Sequence, residues 1–165
     1  NEVTAAVALA QVEKMDFLVG RRQKVAEFFY DAIDGCEWLR PQLVPEGYVS
    51  SYWSFCVLYE GEGVIGHAWK DFYNKLKEAG GDGFYGGLSV VYEELVIKNL
   101  EFVKSGYFPS SGPCEYSNSF KWEKGLCPVA EEVQPKMMQF KTNYRNLDDA
   151  KDQALILKKL IRSLA

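Results

Sequence analysis

The sequence predicts an α/β (α+β) fold: a small mixed or antiparallel sheet of about three strands packed against helices, entered through a long N-terminal helix. Three observations carry that expectation. Apolar residues recur at spacings of three and four along residues 12–33, 69–76 and 147–161, as on helices with one buried face. Two short runs, Ser51–Tyr59 and Met137–Thr142, are too short for such helices and rich enough in β-formers to be strands. Glycine and proline clusters separate these segments into the order α-β-α-β-loop-α-β-α.

The first helix is expected to run without a loop from Asn1. Its stripe is Val12, Met15, Val19, Arg22, Ala26, Phe29 and Ile33, with Arg22 the single polar interruption; Gly20 marks a bend and Gly35 a stop. A second apolar surface of small residues, Val3, Ala6, Val7 and Ala10, lies on the opening turns and reads either as ordinary core or as a contact for a neighbouring domain or subunit. Trp38–Gly47, with Pro41 and Pro45, reads as a connection. Ser51–Tyr59 is apolar on both faces, as an inner strand would be. Residues 60–66 read as a turn, and His67–Ala79 as a helix that buries Trp69, Phe72, Tyr73 and Leu76 and stops at Gly80.

A glycine-rich stretch then leads into an apolar run, Leu88–Tyr92, expected to be β. Glu93–Gly125 is irregular, and a loop of that length usually serves function or lies against a partner. Pro128–Lys136 reads as a short helix with proline at its first position. Asn146 caps the last helix, with Asp149 in the capping-box place and Leu147, Ala150, Ala154, Leu157 and Leu160/Ile161 inside.

The 165 residues make one domain's worth of chain, long enough to bury a core without disulfides or metals. A net charge of -4 argues against nucleic acid as a partner, because phosphate contacts need a basic face. No apolar run reaches the length of a membrane span, and no signal-peptide pattern opens the chain. Cys36, Cys56, Cys114 and Cys127 form no C-x-x-C pair, which speaks against zinc and for free thiols in a reducing cytoplasm. The alternative is a Cys114–Cys127 disulfide.

Candidate chemistry within the chain is sparse. Gly81-x-Gly83-x-x-Gly86 matches the dinucleotide fingerprint in letters, but it follows a helix and enters a β-like run, the reverse of the required context. The single histidine, His67, has no serine or cysteine partner at a recognisable spacing and reads as a capping or surface residue. Glu93-Glu94 and Glu131-Glu132 read as solvated charge. Lys121 has no local feature that would make it a nucleophile. No metal-ligand spacing occurs.

The opening segment, from Asn1-Glu2-Val3-Thr4-Ala5-Ala6 through Leu9-Ala10-Gln11-Val12-Glu13-Lys14-Met15-Asp16 to Arg21-Arg22, resembles a helix of DegT/StrS-type sugar aminotransferases. Thr4 stands where that family usually has glutamine. The segment Gly80-Gly81-Asp82-Gly83-Phe84-Tyr85 is similar to a substrate-side loop in one branch. Cys127-Pro128-Val129-Ala130-Glu131 resembles the family's Pro-x-Ala-Glu segment.

The resemblance implies that residues 1–165 are a single domain, the C-terminal small domain of a fold-type-I, pyridoxal phosphate (PLP)-dependent enzyme. The large cofactor domain, with its Schiff-base lysine, would be absent from this piece. It implies a parent that moves an amino group from an amino acid to a nucleotide-linked keto-sugar and works as a cytoplasmic homodimer, with no nucleic-acid or membrane partner. PLP would be bound by the parent and not by this fragment. No catalytic, cofactor-binding or metal residue carries over; Asp82, Phe84 and Tyr85 are the expected substrate contacts, the other reading of them being a turn with two packed aromatics. The alternatives are a non-catalytic ligand-binding or regulatory module and a PLP-dependent sugar dehydratase.

Overall fold

The computed structural model describes residues 1–95, 97 and 123–164. The chain divides into two compact units: Asn1–Tyr85 with Met137–Ala165, and Gly86–Lys136.

The first unit is built on a four-stranded sheet ordered β1-β2-β4-β3, with β1 at Leu39–Pro41, β2 at Ser54–Tyr59, β3 at Tyr85–Gly86 and β4 at Met137–Lys141. β2 pairs antiparallel with both neighbours, Leu39 facing Tyr59 on one side and Phe55 facing Phe140 on the other. Burial alternates along β2 and β4, so Phe55, Val57, Tyr59, Met138 and Phe140 all point into one core. Pro41 sits on edge strand β1, where a missing N–H costs the ladder least.

Helices cover that core: α2 (Met15–Ile33), α4 (Trp69–Glu78) and α6 (Leu147–Leu164), with a one-turn α3 (Gly61–Ile65) between β2 and α4. The expected stripes of α4 and α6 meet the sheet, with Phe72, Leu76, Ala150, Ala154, Leu157 and Ile161 buried. Asn146 Oδ1 accepts the amide of Asp148 at 3.0 Å, holding the start of α6. Among the described residues, seven aromatic side chains run through the core alongside Ala, Val, Leu, Ile and Met. Phe29 stacks on Phe55 at 5.7 Å and lies 5.1 Å from Phe140, while Trp38 meets Phe72 edge-on at 5.2 Å. Burying each ring contributes roughly 1.5–3 kcal/mol, and the edge-to-face geometry adds to it.

The N-terminal helix departs from expectation. It breaks at Glu13–Lys14 into α1 (Glu2–Val12) and α2, although no glycine or proline stands there, while Gly20 continues α2 unbroken. No residue of α1 is buried, and Val12 and Met15 are 62% and 54% exposed, so the expected buried stripe begins only further along, at Val25 and Ala26. With no described core beneath it, α1 is not held to the axis of α2.

Three further differences concern short elements. Strand β1 falls inside the expected connection, its cue masked by Pro41. Residues 61–65 are helical rather than a plain turn. The run 88–92 holds no strand; it enters a 3-10 turn at Val91–Glu93, and the β segment lies earlier, at Tyr85–Gly86.

Between β1 and β2 the chain makes an excursion whose two ends are tied together. The Gln42 amide and carboxamide both bond Cys56, N to O and Oε1 to N at 3.0 Å each, and Gln42 Nε2 reaches Ser50 Oγ at 3.4 Å. Gln23 on α2 donates to the Ser50 carbonyl at 3.0 Å, and the Tyr30 hydroxyl to the Gln42 carbonyl at 3.1 Å. Beyond that neck, Leu43, Tyr48 and Val49 are more than 70% exposed.

The second unit contains α5 (Pro128–Val133), running into a 3-10 turn at Gln134–Lys136, as the proline-led pattern predicts. The buried Tyr92 donates its hydroxyl to the Glu131 carboxylate, which also accepts the Gly125 amide at 2.6 Å. Glu131 is therefore an anchor rather than free solvated charge, whereas its neighbour Glu132 pairs with Lys136 at 3.3 Å. Burial and this bond push the Tyr92 phenol up to about 12, and the same bond holds the Glu131 carboxyl low.

Candidate functional site

The expected contact segment, Gly80–Tyr85, is a tightly held turn. Gly81 lies so close to α4 that a Cβ there would stand 2.8 Å from the Leu76 side chain and 2.9 Å from its carbonyl oxygen. Gly83 has φ +84°, and a Cβ on it would meet the Tyr73 ring at 2.9 Å. Glycine is thus required at both positions by close approach, not by a ligand's phosphates.

Asp82 lies between them and is bound through every polar group it has. Its amide donates to Gln153 Oε1 on α6 at 2.6 Å, and its carbonyl accepts Lys77 Nζ from α4 at 3.3 Å. Its Oδ2 pairs with the Lys141 ammonium at the end of β4 and accepts the Tyr144 hydroxyl at 3.0 Å. Lys141 also lies 4.4 Å over the Tyr144 ring. The Lys141 ammonium holds the Asp82 carboxyl below the usual carboxylate range; partial burial opposes this and the Tyr144 hydroxyl adds to it. Burial, then the bond to Asp82, pushes the Tyr144 phenol far above its ordinary value. The cluster therefore holds a carboxylate, an ammonium and a protonated phenol. That arrangement positions backbone but offers no free base for proton abstraction.

Phe84 and Tyr85 part company. Phe84 is 6% exposed and meets Trp69 and Tyr73 edge-on at 4.8 and 5.2 Å, with Phe140 at 5.3 Å, so its ring belongs to the core. Tyr85, on β3, is 70% exposed. A depression beneath the turn, lined by Leu76, Asp82, Phe140, Tyr144, Gln153 and Leu157, has room for about one water molecule, far short of a cofactor or sugar site.

A second built node joins the Arg21-Arg22 pair to the segments before β2 and after β4. Arg22 Nη1 donates to the Trp53 carbonyl at 2.7 Å and to Thr142 Oγ1 at 3.0 Å. The buried Thr142 hydroxyl donates to the Tyr52 carbonyl at 2.6 Å, with the Trp53 carbonyl at 3.1 Å. Arg21 Nη2 donates to the carbonyls of Tyr144, at 3.2 Å, and Arg145. Tyr52 has φ +46°, uncommon for a bulky residue, and the node holds it there while leaving the Trp53 indole 77% exposed.

Of the residues weighed from sequence, His67 precedes α4 and receives the Tyr59 hydroxyl on its carbonyl at 2.7 Å, while Ala68 takes the cap position. Lys121 and Cys114 lie outside the described residues; Cys36, Cys56 and Cys127 are free thiols. Among the described residues no group of His, Cys, Asp and Glu could hold a metal, and no helix is long and apolar enough to cross a membrane. Sequence reading missed Lys141, Tyr144 and Gln153, which lie 59 to 71 positions from Asp82 and join it only through the antiparallel return of β4 and α6.

No protein-family model matches the sequence, and no curated protein sequence matches it. Solved structures do. The chain is similar to PseC of Helicobacter pylori, an aminotransferase involved in the biosynthesis of pseudoaminic acid, with TM-score 0.67 and 17% identity over 99% of this chain and 38% of that one. It is similar to Spr1654 of Streptococcus pneumoniae, described as a candidate sugar aminotransferase and solved in its PMP form, with TM-score 0.64, 16% identity and coverage of 100% and 36%. It is also similar to the aminotransferase TlmJ of Streptoalloteichus hindustanus, with TM-score 0.62, 17% identity and coverage of 100% and 37%. At these identities the likeness establishes the fold: the chain folds like one part of sugar aminotransferases and spans less than two fifths of their length.

Proposed function

We propose that residues 1–165 form the C-terminal small domain of a PLP-dependent aminotransferase that transfers an amino group, from glutamate or another amino acid, to a nucleotide-linked keto-sugar. The observation that carries this reading is the coverage. The whole chain superposes on little more than a third of each sugar aminotransferase, and its first 22 residues carry the family-like pattern. A cytoplasmic homodimer accords with the same reading.

The cluster around Asp82 does not fit PLP itself. Lys141 is committed to Asp82 as an ammonium, and the depression beside it is too small for the cofactor. In this reading the cofactor and its lysine belong to a large domain outside these 165 residues, and this chain contributes shape and substrate contact. Tyr85 is the contact best placed for that work: its exposed ring suits a sugar face or a nucleotide base.

Expressing the complete reading frame tests the proposal. Purified protein should carry the visible absorbance of bound PLP, and the band should shift on adding glutamate. A keto-sugar nucleotide should then yield the amino sugar. A complete product that binds no PLP sinks the reading.

A further inference from the structure

We infer that Asp82 is a latch rather than a ligand: its carboxylate, tied to Lys141 and Tyr144, fixes the Gly80–Tyr85 turn and so sets where Tyr85 is presented. Three elements converge on this one residue. Helix α4 supplies Lys77 to its carbonyl, α6 supplies Gln153 to its amide, and the end of β4 with the following segment supplies Lys141 and Tyr144 to its carboxylate.

The flanking residues leave the turn little other freedom. A Cβ on Gly81 would stand 2.9 Å from the Leu76 carbonyl oxygen, Gly83 holds φ +84° against the Tyr73 ring, and Phe84 is sunk among Trp69, Phe72, Tyr73 and Phe140. The first residue free of this bracket is Tyr85. Its position on the sheet edge is therefore inherited from Asp82 and Phe84.

An exposed ion pair alone is worth little, and the Asp82 and Lys141 side chains are each 39% exposed. The bracket differs from such a pair because the carboxylate closes a ring of bonds running from α4 through the turn to β4 and α6. A substrate hydroxyl seeking Asp82 would have to displace Lys141 or Tyr144. The latch rests on the turn's geometry; that Tyr85 meets substrate rests on the aminotransferase reading.

Amide hydrogen exchange in the 165-residue chain tests the latch. Asp82→Asn and Lys141→Met should each speed exchange at Asp82, Gly83 and Phe84 by about threefold to fivefold, and Tyr144→Phe by about twofold, while Phe140 and Leu157 exchange as in the parent chain. The double variant of Asp82 and Lys141 should exchange no faster than Asp82→Asn. Unchanged exchange in the turn, or acceleration spread equally over Phe140 and Leu157, overturns the proposal. Should Asp82→Asn fail to fold, Lys141→Met and Tyr144→Phe decide alone.

In the complete enzyme, Asp82→Asn should raise KM for the sugar substrate about tenfold with kcat within twofold. A fall in kcat with KM unchanged overturns the positioning role. A passing exchange result with no aminotransferase activity in the parent sinks the functional reading and leaves the latch standing.

Discussion

Thr142→Val isolates the node that holds the backbone before β2. Valine keeps the shape of threonine and removes the hydroxyl of a residue that is only 1% exposed. Three bonds then go: donation to the Tyr52 carbonyl at 2.6 Å, the longer contact to Trp53 at 3.1 Å, and acceptance from Arg22 at 3.0 Å. The Trp53 carbonyl keeps Arg22 at 2.7 Å, so its loss is small. The Tyr52 carbonyl loses the donor that holds it, at a residue with φ +46°. Leaving the half-buried Tyr52 carbonyl without its donor costs up to about 1–3 kcal/mol, and the lost bond to a guanidinium is of similar size before the gain from a buried methyl. The expected net loss is about 2–3 kcal/mol. With a urea slope of about 2 kcal/mol per molar, the midpoint should fall by about 1–1.5 M with the slope unchanged. A loss under about 0.5 kcal/mol, the usual range for surface changes, would refute the claim that this hydroxyl holds the strained residue.

Other changes separate the roles within the Gly80–Tyr85 turn. Phe84→Ala should lower stability by about 3–5 kcal/mol in denaturant titrations, whereas Tyr85→Ala should stay within about 0.5 kcal/mol. Gly83→Ala, facing Tyr73 at a positive φ, should cost more than about 1 kcal/mol, while Gly63→Ala, with open space around it in α3, should be neutral or slightly stabilising in the same titration. Asp82 has its carboxyl lowered on folding by Lys141, so its contribution is present above the ordinary aspartate range and is lost as pH falls through that range to the native value. The stability difference between the parent chain and Asp82→Asn should accordingly shrink below about pH 4, and because the pair is half exposed it should stay under about 1 kcal/mol at neutral pH.

Where the structure agrees with the sequence, the cue was local. The period-two burial of β2 and β4, the stripes of α4 and α6, the proline-led α5 and the Asn146 cap all depend on residues within a few positions of each other. The departures come from longer range. The helical period of residues 12–33 carries no information about whether a core lies beside α1, so Val12 and Met15 read as buried and are exposed. Leu39–Pro41 becomes a strand because β2 offers a free edge, which a proline-containing triplet does not announce. Two aromatics in sequence, Phe84 and Tyr85, look alike as letters; the pleat of β3 and the pocket among Trp69, Tyr73 and Phe140 send one inward and leave the other out. The partners of Asp82 were invisible for the same reason, since only the fold brings residues 141, 144 and 153 to residue 82.

The tied neck between β1 and β2 has an engineering consequence. Because Gln42, Ser50, Cys56, Gln23 and Tyr30 close the loop at its base, the tip at residues 43–49 is mechanically decoupled from the sheet. It behaves as an interchangeable cartridge: insertions beside Gly47, or wholesale replacement of the Leu43–Val49 sequence, should leave the register of β1 and β2 intact. A surface of this kind can accept a grafted peptide in the laboratory without the core being redesigned to carry it.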